Sequence, residues 1–135
     1  MDKPVNIPRS AANWPLTPAA LRWLPRFYHE RYKLPVVILE NGICDADFPD
    51  AEGQIHDTCR TNQMRLYLGE LRKAIDDGAD VRGYFHWSLL DNFEWVHGYT
   101  RRFGVIHVDH LTQKRTPKDS ASVYREIILQ NGTSG

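Results

Sequence analysis

A glutamate directly follows a short apolar run and precedes a turn dipeptide. The run extends from Leu34 to Leu39, and Glu40-Asn41-Gly42 ends it. In parallel α/β folds, functional groups gather at the carboxyl ends of strands. Glu40 in that place can act as a nucleophile or as a general base. The alternative interpretation is a surface glutamate that enters a turn.

A second candidate segment, Trp87 to Trp95, mixes aromatic and polar side chains. It reads WSLLDNFEW, with two tryptophans and a phenylalanine among aspartate, asparagine and glutamate. Sugars suit such a mixture, because their C–H faces stack on flat rings and their hydroxyl groups need charged or polar partners. The alternative is that the rings belong to a core and the acids cap helices.

Several histidines and a cysteine raise the question of a metal site. These residues are His56, His86, His97, His107, His110 and Cys59. Their spacings fit no common zinc pattern, so we expect neither a metal nor another cofactor. The two cysteines, Cys44 and Cys59, are too few for a disulfide framework and are either free thiols or one bridge.

The composition is that of an ordinary folded protein, with 41% hydrophobic and 25% charged residues in a chain of 135. Lys and Arg number 17, as do Asp and Glu, so the net charge of zero gives no support for a nucleic-acid or membrane partner. The basic pairs Arg101-Arg102 and Lys114-Arg115 fit a solvated surface. No apolar run approaches the roughly 20 residues of a membrane span. The start, Met1 to Pro4, lacks a signal-peptide core, and we expect a cytoplasmic protein.

The first helix is predicted to begin at Thr17-Pro18, because threonine caps helices and proline suits the first turn. The apolar residues that follow at helical spacing are Leu21, Leu24, Phe27 and Tyr28. Pro25 predicts a kink or a late start, since proline in a helix interior removes a backbone hydrogen bond.

Two runs predict strands, residues 34–39 and Val81 to Trp87. The first run is apolar throughout and is typical of a strand that is covered on both faces. In the second run, one face is expected to carry Val81, Gly83, Phe85 and Trp87. Between the strands, Cys44 to His56 predicts a loop, and Asp57 predicts the start of a helix that ends near Gly78. The expected inner row of that helix is Met64, Tyr67, Leu68, Leu71, Ala74 and Ile75.

The chain then continues with a short apolar run, Gly104 to Val108, and a second capping pair, Thr116-Pro117, before a last helix. Strands that alternate with helices indicate βαβ units and a parallel sheet. Two parallel strands cannot cover their own faces and edges. The chain is therefore either a very small α/β domain or the end of a larger closed one.

Taken together, the motifs resemble the C-terminal part of glycoside hydrolase family 1, the β-glucosidases and their relatives. The match runs from about Trp14 to Tyr124 and includes Glu40-Asn41-Gly42 as the nucleophile motif and Trp87 to Trp95 as the sugar-binding loop. Further matching positions are Asp57, Arg60, Tyr67, Gly98-Tyr99, Arg102-Phe103-Gly104, Val108-Asp109, Arg115 to Lys118 and Ser120.

The resemblance implies a (β/α)8 barrel and retaining hydrolysis of β-glycosides. Glu40 would be the nucleophile, Trp87 would stack near the glycone, and Glu94 would accept hydrogen bonds from sugar hydroxyls. The resemblance also implies supporting roles for Trp95, which would flank the sugar, Phe103, which would line the pocket, and Trp14, which would form part of the leaving-group platform. The Glu94 carboxylate favours unphosphorylated sugars within the family.

Two departures from the family pattern stand out. Leu39 replaces the usual Thr or Ser, so a hydroxyl beside Glu40 is missing. The acid/base glutamate belongs to an Asn-Glu-Pro motif, which these residues do not contain. A whole barrel takes about 250 residues, so the chain would supply about the seventh and eighth strands with their helices. We expect an irregular segment 1–16, a partial barrel 17–130 and a flexible tail 131–135.

Three hypotheses follow. The chain is the C-terminal segment of a β-glucosidase-like enzyme, inactive alone, whose partners are a β-glucoside and either the remaining barrel portion or a second copy. Alternatively, it is a non-catalytic remnant that binds sugar weakly or binds nothing. The third possibility is an independent small α/β interaction module.

Overall fold

The computed structural model describes residues 6–132. Three helices and four strands make up the described chain: α1 (Ala20–Tyr32), β1 (Val36–Asn41), α2 (Thr58–Asp76), β2 (Val81–His86), β3 (Ile106–Val108), β4 (Arg115–Pro117) and α3 (Asp119–Gln130). A 3-10 helix, Trp95–His97, lies between β2 and β3. Parts of the expected segments 1–16 and 131–135, and the start Met1 to Pro4, lie outside the described residues.

Strands β1 and β2 pair in parallel, with Val36 opposite Val81 and Asn41 opposite His86. Helix α2 connects them, so the predicted βαβ unit is confirmed. Because the strands run in the same direction, their carboxyl ends meet at one edge of the sheet. Short strands β3 and β4 form a separate antiparallel pair.

One face of the β1–β2 pair is packed against helices. The apolar cluster there consists of Leu21, Tyr67 and Leu71, with Ile38, Leu68, Val81 and Tyr84 against it. The opposite face carries Val37, Leu39 and Phe85, which are exposed. The expectation that the first strand is covered on both faces is therefore wrong within residues 6–132, because the described chain places no second layer over that face.

The pairing of β1 with β2 is irregular near its start. Val36 pairs with Val81, but Val37 pairs with Gly83, so β2 has an extra residue at this point. Val81 consequently packs on the helix side, whereas a Cβ added at Gly83 would lie 3.1 Å from Val37 on the other side. The prediction that Val81 shares a face with Gly83 is wrong, since the irregularity shifts the alternation.

Neither Thr-Pro pair caps a helix. Helix α1 begins at Ala20, after an N-cap residue without a side-chain cap, and the Thr17 backbone N–H instead donates to the Tyr67 hydroxyl at 2.7 Å. Thr116 pairs with His107 in the β3–β4 ladder, and α3 begins only at Asp119. Helix α1 contains the buried Pro25 in its interior, so the late start expected from this proline is wrong.

Helix α2 follows its prediction closely. It starts after Asp57 and ends at Asp76, and Gly78 adopts a positive φ of 98° while its N–H donates to the Ile75 carbonyl. The buried members of its predicted inner row are Met64, Tyr67, Leu71 and Ala74, whereas Ile75 is exposed.

Both cysteines are free thiols, Cys44 buried and Cys59 exposed, so the alternative of a bridge is wrong. The polar stretch from Cys44 to His56 contains neither helix nor extended strand, as predicted. Among residues 6–132, no helix has both the length and the apolar character needed to cross a bilayer.

Candidate active site

The parallel pairing brings Glu40 and Trp87 to one edge of the sheet. Glu40 is the penultimate residue of β1, and Trp87 directly follows β2. The Trp87 N–H donates to the Asn41 carbonyl at 3.0 Å. A Cβ added at Gly42 would lie 1.8 Å from the Trp87 carbonyl oxygen, so only glycine allows this close approach.

The side chain of Asn41 anchors the end of β1. Gln63 Nε2 and the Tyr84 hydroxyl donate to Asn41 Oδ1 at 3.1 and 3.0 Å. These two hydrogen bonds therefore hold the backbone beside Glu40 in place. The Glu40 side chain itself is exposed and makes no hydrogen bond or ion pair with the described residues.

The loop after Trp87 holds Glu94 through a chain of side-chain hydrogen bonds. Ser88 Oγ donates to Asn92 Oδ1 at 3.0 Å, and Asn92 Nδ2 donates to Glu94 Oε2 at 3.2 Å. The Glu94 backbone N–H donates to the Gly98 carbonyl at 2.7 Å. The Trp87–Ser88 peptide bond is cis. Asn92 therefore supports Glu94 rather than lining the cleft.

Two further rings close the side of the cleft. The ring centroids of Trp14 and Phe103 are 5.8 Å apart with planes at 47°. The Trp14 carbonyl accepts from the Ser10 N–H at 2.9 Å, and the Ala11 N–H donates to the Cys44 carbonyl at 3.3 Å. Trp14 thus belongs to a turn that is tied to the segment following β1.

An open cleft of about 430 Å³ collects all six residues expected at the site. They are Trp14, Glu40, Trp87, Glu94, Trp95 and Phe103, and Asn41 and Gly42 complete the lining. This volume is in the range of sites for small molecules. Four aromatic rings and two carboxylates can together stack on a sugar ring and accept hydrogen bonds from its hydroxyl groups.

Six charged side chains from separate parts of the chain form one network of ion pairs, which no pattern in the sequence predicts. The fully or largely buried members are Asp47, Asp57, Arg60, Asp91 and Lys118, and Arg102 is half-buried. The expectation that Arg102 belongs to a solvated surface is wrong, because its Nη1 donates to Asp91 Oδ2 at 2.7 Å and to the Val108 carbonyl at 2.9 Å. These charges come from separate loops and helix starts, where no periodic spacing marks them.

Burial and neighbouring charges shape the titration of the groups under the cleft. Burial, with the nearby cations Arg60 and Lys118, lowers the pKa of His86 to about 4. Burial also raises the pKa of the Tyr84 hydroxyl. For Asp91, burial acts to raise the pKa, but the Lys118 and Arg102 cations hold it below the ordinary value. At neutral pH, His86 and Tyr84 are uncharged, whereas Asp91 is ionised.

The histidines do not gather around a common point. Within residues 6–132, no group of three or more His, Cys, Asp or Glu side chains is arranged to hold a metal ion. His56 instead contacts Asp119 at 2.8 Å and Asp50 at 3.3 Å. A second depression, of about 270 Å³ between α2 and α3, has mainly apolar walls without a carboxylate and offers no comparable chemistry.

Residues 1–133 match the family model described as glycosyl hydrolase family 1. The chain belongs to this family. Among the similar proteins, beta-glucosidase A of Thermotoga maritima is 41% identical over 128 residues, which cover 94% of this chain and 29% of that protein. Beta-glucosidase 44 of Arabidopsis thaliana is 44% identical over 133 residues, covering 97% of this chain and 26% of that protein.

Solved structures give the same result. The structure of a family 1 β-glucosidase from Thermotoga maritima in complex with isofagomine lactam matches with a TM-score of 0.95 at 38% identity. The match covers 98% of this chain and 30% of that one. The chain therefore spans less than a third of these relatives, and its fold is consistent with part of their barrel.

Proposed function

We propose that this chain supplies the nucleophile and part of the sugar pocket of a retaining β-glycosidase that hydrolyses terminal β-D-glucosyl residues. The observation that carries the proposal is the shared cleft of Glu40, Glu94 and Trp87 at the carboxyl edge of the two parallel strands. Membership of glycosyl hydrolase family 1 and the β-glucosidase names of its relatives support this chemistry.

Glu40 acts as the nucleophile. Its oxygen bonds to the anomeric carbon while the bond from that carbon to the leaving-group oxygen breaks, and an acid protonates this oxygen. Water then hydrolyses the glycosyl-enzyme with the same acid acting as base. Glu40 is suited to attack because it is exposed at a fixed strand end and no described cation is paired with its carboxylate.

The remaining cleft residues bind the sugar. Trp87 stacks near the glycone, and Glu94, held by Asn92, accepts hydrogen bonds from its hydroxyl groups. Trp95 flanks the sugar and Phe103 lines the same pocket, whereas Trp14, in ring contact with Phe103, forms part of the leaving-group platform. An ionised Glu94 disfavours a phosphorylated sugar by charge repulsion.

The acid/base carboxyl comes from a further portion of a (β/α)8 barrel that bears Asn-Glu-Pro, in which β1 and β2 serve as the seventh and eighth strands. Retaining cleavage needs two carboxyl groups about 5–5.5 Å apart, and the 135 residues contain no Asn-Glu-Pro. The exposed apolar side chains Val37, Leu39 and Phe85 support such a partner, since they give it a face to cover.

The test compares the 135-residue chain alone with the chain joined to an N-terminal family portion that bears Asn-Glu-Pro. We expect no hydrolysis of an aryl β-glucoside by the chain alone and clear hydrolysis by the assembly. Glu40→Gln should abolish that activity, and Glu52→Gln, a change at an exposed loop glutamate, should not. An assembly that stays fully active with Glu40→Gln would refute the assignment.

The missing Asn-Glu-Pro and the Leu39 replacement favour a second candidate, a remnant that binds sugar weakly without cleaving it. Titration with glucose while following tryptophan fluorescence separates the two. Saturable binding by an assembly that never turns over substrate would support the remnant, whereas turnover excludes it. Cooperative unfolding of the isolated chain as a monomer would instead favour a small independent module.

A further inference from the structure

We propose that Lys118 is a positioning residue that fixes the two walls of the cleft relative to each other, the wall ending in Glu40 and the loop bearing Glu94. The inference rests on the proposed function of those two carboxylates. Lys118 itself does not line the cleft and lies directly before α3. Its Nζ donates to Asp47 Oδ2 at 2.5 Å and to Asp91 Oδ1 at 2.8 Å, so one ammonium group joins two separate chain segments.

The first of these segments leaves the end of β1. Asp47 lies in the loop that follows Glu40, and the same Asp47 oxygen also accepts from Arg60 Nη2 at 2.8 Å. Arg60 Nη1 in turn donates to Asp57, the N-cap residue of α2. The chain after Glu40 is thus clamped between the first turn of α2 and Lys118.

The second segment is the loop between Trp87 and Glu94. Asp91 accepts, besides Lys118, from Arg102 Nη1 at 2.7 Å and from the Gly104 N–H at 3.0 Å. A fourth donor is the Val108 N–H at 3.3 Å. Since Gly104 directly follows Phe103, the Asp91 carboxylate fixes both the loop bearing Glu94 and the ring of Phe103 at the cleft.

The contact of Lys118 with the two segments is buried from solvent. The side chains of Lys118, Asp47 and Asp91 have exposed fractions of 0%, 2% and 1%. Water cannot take over the two hydrogen bonds of Lys118 without opening the structure, and charged partners bond strongly in such surroundings. The charges are also balanced, with Arg60, Arg102 and Lys118 against three carboxylates, so a purely stabilising role is the competing explanation.

Two variants distinguish a positioning role of Lys118 from a role in balancing the buried charges. Lys118→Met removes both hydrogen bonds and leaves one buried anion unbalanced, whereas Asp47→Asn with Lys118→Met removes one charge of each sign. In both, we expect the indole N–H NMR signals of Trp87 and Trp95 to shift, and that of Trp23, on α1, to remain. Lys114→Met, at an exposed site in the preceding turn, is the matched control and should shift none of them.

Thermal unfolding is the second readout. We expect Lys118→Met to unfold at a lower temperature and the double variant to recover much of that loss while its indole signals stay displaced. Recovery of wild-type indole signals in the double variant would show that Lys118 provides only charge balance, and would overturn the proposal. If Lys118→Met does not fold, the isosteric variant Asp47→Asn takes its place. We expect Asp47→Asn to unfold at a lower temperature and to shift the indole signals of Trp87 and Trp95. Wild-type indole signals in this variant would overturn the proposal.

Activity of the assembly with the Asn-Glu-Pro portion gives a third readout. Per folded molecule, the double variant should lose about 100-fold in kcat/KM, mainly in kcat, because misplaced reacting groups are costly. An unchanged kcat would contradict positioning. If the wild-type assembly is itself inactive, the proposed function fails, and the indole signals still decide whether Lys118 sets the cleft walls.

Discussion

His86 shows how strongly one residue beneath the cleft depends on its surroundings. Its Nε2 is buried and has no hydrogen-bond partner among the described residues, and its Nδ1 lies 3.4 Å from the Tyr84 hydroxyl. The cations Arg60 and Lys118 add to the effect of burial, and the pKa of His86 falls to about 4. The folded protein therefore keeps this ring neutral well below the pH at which a free histidine gains a proton.

This lowered pKa predicts a loss of stability in acid. Above about pH 6.5, both folded and unfolded chains hold His86 neutral; as the pH falls from there towards 4, only the unfolded chain takes up the proton. The free energy of unfolding should thus drop by about 3 kcal/mol over this window. Urea unfolding of the wild type and of His86→Phe at several pH values measures the difference.

The His86→Phe variant should show a smaller decline than the wild type, because it has no proton to gain at this position. His97→Phe, at a histidine in the 3-10 helix, provides the control and should keep the wild-type slope. Parallel pH profiles for the wild type and His86→Phe would contradict the buried neutral ring.

Glu40, Trp87 and Glu94 could be predicted because they lie in continuous motifs, whereas Trp14 and Phe103 were expected at the cleft only from the family resemblance. Glu40 sits between an apolar strand and a turn, and Trp87 and Glu94 share one aromatic segment. Lys118 and Asp47 could not be predicted as partners, because they are 71 positions apart and neither belongs to a periodic pattern. Only the folded chain brings such charges together.

Helices and strands could be predicted where the spacing of the apolar residues and the residue types at the element's ends indicate the same bounds. Helix α2 has a regular inner row and a glycine after its last turn, and its bounds follow from them. Thr17 and Thr116 have the residue type of a cap, but the first is engaged by Tyr67 and the second by the β3–β4 ladder. Tertiary contacts decide such cases, and the extra residue in β2 near Val81 is likewise invisible in the sequence.

Alanine substitutions at two glycines test whether the space around a position decides how an added Cβ changes stability. Gly69 lies within α2, and a Cβ added there would meet nothing within 4 Å. Gly69→Ala should therefore stabilise the protein by about 1 kcal/mol, since alanine restricts the unfolded chain and favours the helix. Thermal or urea unfolding measures the change.

Gly104→Ala is the opposing case in the same measurement. Its Cβ would lie 2.2 Å from the Asp91 backbone nitrogen, and we expect a loss of about 1–3 kcal/mol from overpacking. Equal effects at Gly69 and Gly104 would show that local space does not govern these positions.

Within residues 6–132, one face of the parallel strand pair is uncovered. Leu39 on β1 is 72% exposed, and Phe85 on β2 is 58% exposed. Apolar side chains beside an unpaired strand edge favour association with another chain. The further barrel portion proposed above and a second copy of this chain would compete for this surface.

The isolated chain should therefore self-associate in a concentration-dependent way. Leu39→Lys should shift it towards the monomer, because a charge on this face disfavours burial against another chain. Leu111→Lys, at a fully exposed leucine in a turn, is the matched control and should leave association unchanged. Analytical ultracentrifugation distinguishes the outcomes. A wild-type chain that is monomeric at all concentrations would contradict an uncovered interface.

The proposed function requires that the Glu40 carboxylate bonds covalently to the sugar during catalysis. The most direct measurement traps this intermediate in the assembly of the chain with the Asn-Glu-Pro portion, using an activated β-glucoside whose hydroxyl next to the anomeric carbon is replaced by fluorine. Fluorine slows hydrolysis of the glycosyl-enzyme because it disfavours the positively charged transition state. Peptide mass spectrometry should find one sugar on Glu40 and none in Glu40→Gln. A sugar attached to any other residue, Glu94 included, would contradict the assignment of Glu40 as the nucleophile.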